Sequence, residues 1–164
     1  MTTPNYNDPS QNSLVALIPI KAVAVDGLRE KLEQNPVDPA GLNDVGVVHF
    51  ARIFVFEQNN PSGVPSNLLA VITAYDSPFD TYIQSFVNQP SVGAFFNEVM
   101  TLVDDPQAQA VIPVQKNSAA FAELIKKYDA TNPANAPWGQ WYSAYPDLTV
   151  QNILAQNPHE APTS

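Results

Sequence analysis

Two long apolar runs dominate the pattern of this chain. Val45 to Gln58 reads VGVVHFARIFVFEQ and Asn67 to Asp76 reads NLLAVITAYD, with NNPSGVPS between them. β-Branched and aromatic residues fill both runs, and Asn, Pro, Gly and Ser fill the connection. The pattern predicts two strands joined by a hairpin loop. On a regular strand Val47, His49, Ala51, Ile53 and Val55 share one face, while Val48, Phe50, Arg52, Phe54 and Phe56 share the other. Both faces are mostly apolar, so the strand is expected to be covered on both sides. Helices supply one cover, and a second copy of the sheet the other. His49 and Arg52 then point in opposite directions unless a bulge intervenes.

The remaining elements read as packing around this hairpin. Leu14–Ile20 is the first strand, with Pro19 near its end because proline cannot donate to a ladder. Ala24–Gln34 carries Val25, Leu28 and Leu32 on one helical face and stops at Asn35-Pro36. Ser77-Pro78-Phe79-Asp80 starts another helix, Ser77 as the cap and Asp80 favoured by the dipole. Phe79, Tyr82, Ile83, Phe86 and Val87 follow at helical spacing, and Val92, Phe95, Phe96, Val99, Met100 and Val103 mark the next helix. Asn117 caps a further helix that turns Phe121, Leu124, Ile125 and Tyr128 inward. Lys126 and Lys127 suit its C-terminal end. Trp138–Tyr145 is expected to be the last strand, and Asp147 to cap a short helix carrying Val150, Ile153 and Leu154.

This order contains the kernel βαββαβ, so the expected fold is α+β and ferredoxin-like. It has a four-stranded antiparallel sheet, helices on one face and extra helices between 90 and 130. Residues 1–12 read as a loose tail, 13–156 as one domain and 157–164 as a polar tail.

Composition narrows the function classes. A chain of 164 residues suits one domain burying ~70% of its unfolded surface. There is no cysteine, which rules out a disulfide framework or a cysteine metal site. The net charge is −9, and no Lys or Arg occurs from Ile53 through Gln115. Nucleic acid and anionic membranes both call for a basic patch, so neither is an expected partner. MTTPNYNDPSQNS has no basic n-region and no apolar core, and no stretch approaches a membrane span. The expected location is the cytoplasm.

Candidate chemistry centres on the hairpin. His49 is the one histidine within a predicted element. It is either a core or interface residue bonded to a carbonyl or carboxylate, or a haem ligand or general base in a pocket. A buried Arg52 needs a partner, and Asp76 or Glu57 is the natural one; the alternative is an arginine that anchors an acidic ligand. Tyr75, Asp76, Trp141 and Tyr145 complete the candidate ligand-binding set, within a wider group of aromatics that includes Trp138 and Tyr142. Such aromatics more often anchor a core or an interface. No G-x-S-x-G, P-loop, G-x-G-x-x-G or H-E-x-x-H occurs. Two distant histidines without cysteine make no transition-metal cluster. No cofactor is evident from the residues themselves. The expected function is binding of a small apolar or aromatic ligand between the sheet and its cover, in a homodimer.

Val48-His49-Phe50-Ala51-Arg52, Leu68-Leu69 opening a strand that ends in Tyr75-Asp76, and Phe79-Asp80-Thr81-Tyr82 with Phe86 resemble a family of uncharacterised ferredoxin-like proteins. In these, an HFAR strand and an LL…YD strand precede a helix. The resemblance covers 45–88 and extends to 138–155. It implies a dimeric α+β barrel, in a superfamily that includes dye-decolorising peroxidases, chlorite dismutases and small antibiotic-biosynthesis monooxygenases. By that analogy alone, the alternative function is a haem-dependent peroxidase-like or cofactor-free monooxygenase-like oxidoreductase using His49 and Arg52. Many relatives have Gly after Tyr-Asp, where this chain has Ser77.

Overall fold

The structure, a computed structural model, describes residues 11–34, 39–59, 65–132 and 147–156. Among these, three strands form an antiparallel sheet: β1 (Asn12–Pro19), β2 (Val48–Asn59) and β3 (Pro65–Tyr75), in the order β1-β3-β2. Six helices accompany them: α1 (Val25–Gln34), α2 (Pro39–Val45), α3 (Phe79–Asn88), α4 (Pro90–Leu102), α5 (Ser118–Tyr128) and α6 (Val150–Gln156). The predicted hairpin is β2 and β3, and Pro19 ends β1. The fold is α+β, with three described strands instead of four. Trp138–Tyr145, the expected last strand, lies outside the described residues.

The register fixes which side chains share a face. On one face the rungs are Leu14–Thr73–Ala51, Ala16–Val71–Ile53 and Ile18–Leu69–Val55. The apolar stripes of α1, α3, α4 and α5 join this face in a single buried cluster. An aromatic chain runs through it, from Tyr75 stacked on Tyr82 at 4.0 Å to Phe86, Phe96 and Phe121. Full burial of such side chains stabilises by ~1.5–3 kcal/mol each. The Tyr82 hydroxyl donates to Thr73 Oγ1 at 3.1 Å, so the one hydroxyl pair on this face is satisfied within it.

Polar contacts hold the periphery. Lys126 of α5 reaches Asp80 at the start of α3, at 2.9 Å. Past α5 the chain returns along the outer edge of β1: Ala130 N donates to Val15 O at 2.8 Å, and Asp129 Oδ1 accepts from Val15 N. Buried Asp105 accepts from Lys127 Nζ at 2.6 Å, from the Tyr128 hydroxyl and from Gln107 N at 2.7 Å. The hydrogen bond from Lys127, then those from Tyr128 and the Gln107 amide, push its carboxyl down to about 2, against the opposing effect of burial.

Several expected caps differ. Ser77 does not cap α3; Pro78 holds the N-cap position, and Ser77 has φ +80°. Asn117 sits at the N-cap of α5 but makes no side-chain cap bond. Thr149, not Asp147, caps α6. Its Oγ1 accepts from Asn152 N at 3.2 Å, while Asn152 Oδ1 accepts from Thr149 N at 3.2 Å. The short helix α2 has no counterpart in the expected elements; three of its seven residues are Gly, Asn and Asp, which hide the helical period.

Phe96→Ala is expected to cost about 3–5 kcal/mol in urea unfolding, because a rigid aromatic cluster cannot close the cavity. Asp105 makes a separate contribution with a defined pH range. Its folded-state pKa lies below the ordinary 3.8, so its stabilisation is present above pH ~4 and is lost as pH falls toward ~2. Asp105→Asn should flatten that part of the acid limb of a stability–pH profile, by at most ~2 kcal/mol.

Candidate functional site

The strand β2 contains a bulge that decides the geometry. Val48 pairs with Tyr75 and Phe50 with Ala74, so His49 is the extra residue. The bulge moves Val48 to the helix side, where it packs on the core, and leaves Phe50 on the other side. Val48 therefore does not share a face with Phe50, Arg52, Phe54 and Phe56, as strict alternation predicts. It also frees His49 from the ladder, and its Nε2 meets Asp76 Oδ1 at 2.8 Å.

Asp76 is a buried hub. Oδ1 also accepts from Gln11 N at 3.0 Å, and Oδ2 accepts from Val150 N at 2.6 Å. One carboxylate thus ties the start of β1, the bulge of β2 and the first turn of α6 to the end of β3. Three donors suit an acceptor-only group taken out of water. The turn after it is held as well: Asn12 Nδ2 donates to Ser77 O at 2.9 Å, and Ser77 takes the left-handed backbone that glycine adopts more readily. His49 and Asp76 are both largely buried, 14% and 6% exposed in their side chains. One ring nitrogen of His49, Nε2, is engaged by the carboxylate.

Arg52 takes no part in this hub, and neither of its expected partners pairs with it. Asp76 binds His49, and Glu57 binds Arg29 of α1 at 2.6 Å. Arg52 is exposed, with its guanidinium carbon 5.2 Å from the centre of the Phe54 ring. Its rung is Val15–Ile72–Arg52; the neighbouring rungs are Ser13–Ala74–Phe50, Leu17–Ala70–Phe54 and Pro19–Leu68–Phe56. None of these side chains belongs to the helix-side core or packs on it. Phe50 and Phe56 are 52% and 42% exposed. The second face of the sheet is therefore apolar, uncovered by the core helices, and marked by one cation.

Tyr75 is fully buried on the helix side, away from that face. Trp141 and Tyr145, like Trp138 and Tyr142, lie outside the described residues. A cavity on the helix side, about 10 Å³ and lined by Leu14, Ala16, Val71, Tyr82 and Phe86 among others, has room for about one water and no polar lining. It includes neither His49 nor Arg52. Among the described residues no group of three His, Cys, Asp or Glu is placed to hold a metal ion, and no helix is long and apolar enough to cross a membrane. Sequence reasoning allowed for a bulge and for a carboxylate partner of His49, and the structure shows both; the hub as a whole escapes it because its partners are remote, Asp76 to Val150 above all. The single available signal was the dense aromatic row broken by Arg52.

Asp76→Ala should cost on the order of 3 kcal/mol in chemical unfolding, since it strands two backbone amides and an imidazole, and His49→Ala ~1–3 kcal/mol. A double-mutant cycle should return a coupling well above the error of either single variant. Ser77→Gly should stabilise by about 1 kcal/mol by relieving the left-handed backbone. Comparison of the chain with protein-family models, with curated proteins and with solved structures gives no match, so the case for function stands on this geometry.

Proposed function

We propose that this is a non-catalytic ligand-binding protein on a ferredoxin-like βαββαβ plan. It works as a homodimer: a second copy closes the open face of the sheet, and a small apolar or aromatic ligand sits between. The observation that carries the reading is the uncovered apolar face. Leaving apolar surface in water costs ~25 cal/mol per Å², and a contiguous patch of this kind marks an interaction surface. Phe50 and Phe56 stand half in water there, and Val15, Leu17, Phe54, Leu68 and Ile72 are only partly buried.

A two-fold dimer sets one patch against the same patch, so the apolar part of the face is self-complementary without further design. The face is about 20 Å along the strands and about 14 Å across them. That area suits the hydrophobic centre of an interface of roughly 800 Å² per partner, with a polar rim around it. The ferredoxin-like plan is supported by the strand order β1-β3-β2 and by the chain after α5, which bonds along the outer edge of β1 where that plan has its fourth strand. The binding reading is supported by the place of Arg52 on the open face, apart from the hub in which His49 and Asp76 tie strands and helix together.

Light scattering at micromolar concentration should return twice the 17.8 kDa of one chain. Phe54→Glu, which sets a charge on the face, should give a folded monomer with an unchanged helical spectrum. A wild-type monomer at that concentration would refute the dimer.

A further inference from the structure

We infer that the ligand of the open sheet face is a flat organic anion, an aromatic carboxylate or its equivalent, with its charge on Arg52 and its ring on the phenylalanine row. The inference rests on the reading of that face as the binding surface and adds the chemical class of what it takes.

Charge is the first support. The protein is acidic overall, with seven basic residues against sixteen acidic ones. Arg29, Lys31, Lys126 and Lys127 all reach carboxylates, while Lys21 bonds to Thr101 O and Lys116 reaches no carboxylate among the described residues. Arg52 has no carboxylate within 4.0 Å among the described residues; it stands within the phenylalanine row of β2, at the edge of the described sheet. Asp76 and Glu57 lie on the neighbouring strand end and on β2 itself, and both are committed elsewhere. A guanidinium left this way is a vacant fork of five donors, which matches a carboxylate in plane and spacing.

The surroundings of Arg52 supply the second support. The guanidinium lies over the Phe54 ring, so its plane is steered by an aromatic neighbour before any ligand arrives. Phe50 and Phe56 flank it at two-residue and four-residue spacing on the same face. An occupant that satisfies both features carries an anion at one end and an apolar, preferably aromatic, body of a few ångströms to either side. Closure of the face by a second copy sharpens the requirement. Each copy brings one guanidinium into the apolar space, and a desolvated cation needs a counter-charge there.

A charge that merely keeps an exposed aromatic edge strand from aggregating would also explain an arginine at this point. The two roles separate in a dye experiment. Fluorescence titration with 8-anilinonaphthalene-1-sulfonate and with the neutral N-phenyl-1-naphthylamine should give ~10-fold tighter binding of the sulfonate, against the net negative charge of the protein. Arg52→Gln should abolish that preference and leave the neutral dye bound as before; Arg52→Lys should keep part of it. Should Arg52→Gln fail to fold, competition on the wild-type protein decides: 2-naphthoate should displace the sulfonate dye at a ~10-fold lower concentration than 2-naphthamide. Equal displacement, or a sulfonate preference that survives Arg52→Gln, overturns the inference. Light scattering on the same samples keeps the two readings apart. A dimer that binds both dyes alike defeats the anion and leaves the dimer, whereas a monomer with an Arg52-dependent preference defeats the dimer and leaves the anion.

Discussion

A twisted antiparallel sheet has two faces, and the helices of this chain cover one of them. The apolar stripes of α1, α3, α4 and α5 converge on the rungs through Leu14, Ala16 and Ile18. The same alternation that drives these side chains inward drives Val15, Leu17 and Pro19, with Phe50, Phe54 and Phe56, to the opposite face. The apolar character of that face is therefore not a by-product of strand propensity. Surface strands that face water alternate apolar with polar residues. Here both alternations are largely apolar among the described residues, and the proposed second copy would cover the open one.

The fold also depends on how its ends are fastened. β1 is an edge strand among the described residues, and α6 makes no buried apolar contact of its own. A seven-residue helix is far too short to persist by propensity. Asp76 fastens both, by accepting from Gln11 at the start of β1 and from Val150 at the start of α6. Gln11 adds a second tie through its side chain to Leu148 O at 2.8 Å, and Gln151 reaches Gly46 O at 2.7 Å. The bulge at His49 serves this arrangement. A regular strand would keep His49 in the ladder; the extra residue turns its imidazole to the carboxylate instead.

Much of the fold was legible in the sequence because it depends on local periods. Phe79, Tyr82, Ile83, Phe86 and Val87 announce α3 at helical spacing, and the β2–β3 hairpin is announced by its β-branched runs and polar loop. What was not legible involves partners distant along the chain. Nothing near Asp76 signals that its acceptors serve residues 65 and 74 positions away. Arg52 was expected to pair with Asp76 or Glu57 by proximity, yet a bulge turned His49 to the first and α1 delivered Arg29 to the second. Ser77 read as a cap by residue type, but its left-handed φ makes it the pivot of the turn between β3 and α3. The open face was half legible: its apolar residues follow from alternation, while the isolation of Arg52 emerges only when Asp76 and Glu57 have been assigned their partners.

That isolation bears on the choice of arginine over any other residue at position 52. A leucine or valine would fit the strand and the face better, by the burial it adds. A lysine would keep a lone charge but would hold its hydration more tightly and could not lie flat on a ring. Arginine is the one cation whose planar, weakly hydrated head can rest on Phe54 and still present paired donors outward. Under the proposed reading, both features suit a flat anion brought in with its apolar body against the sheet.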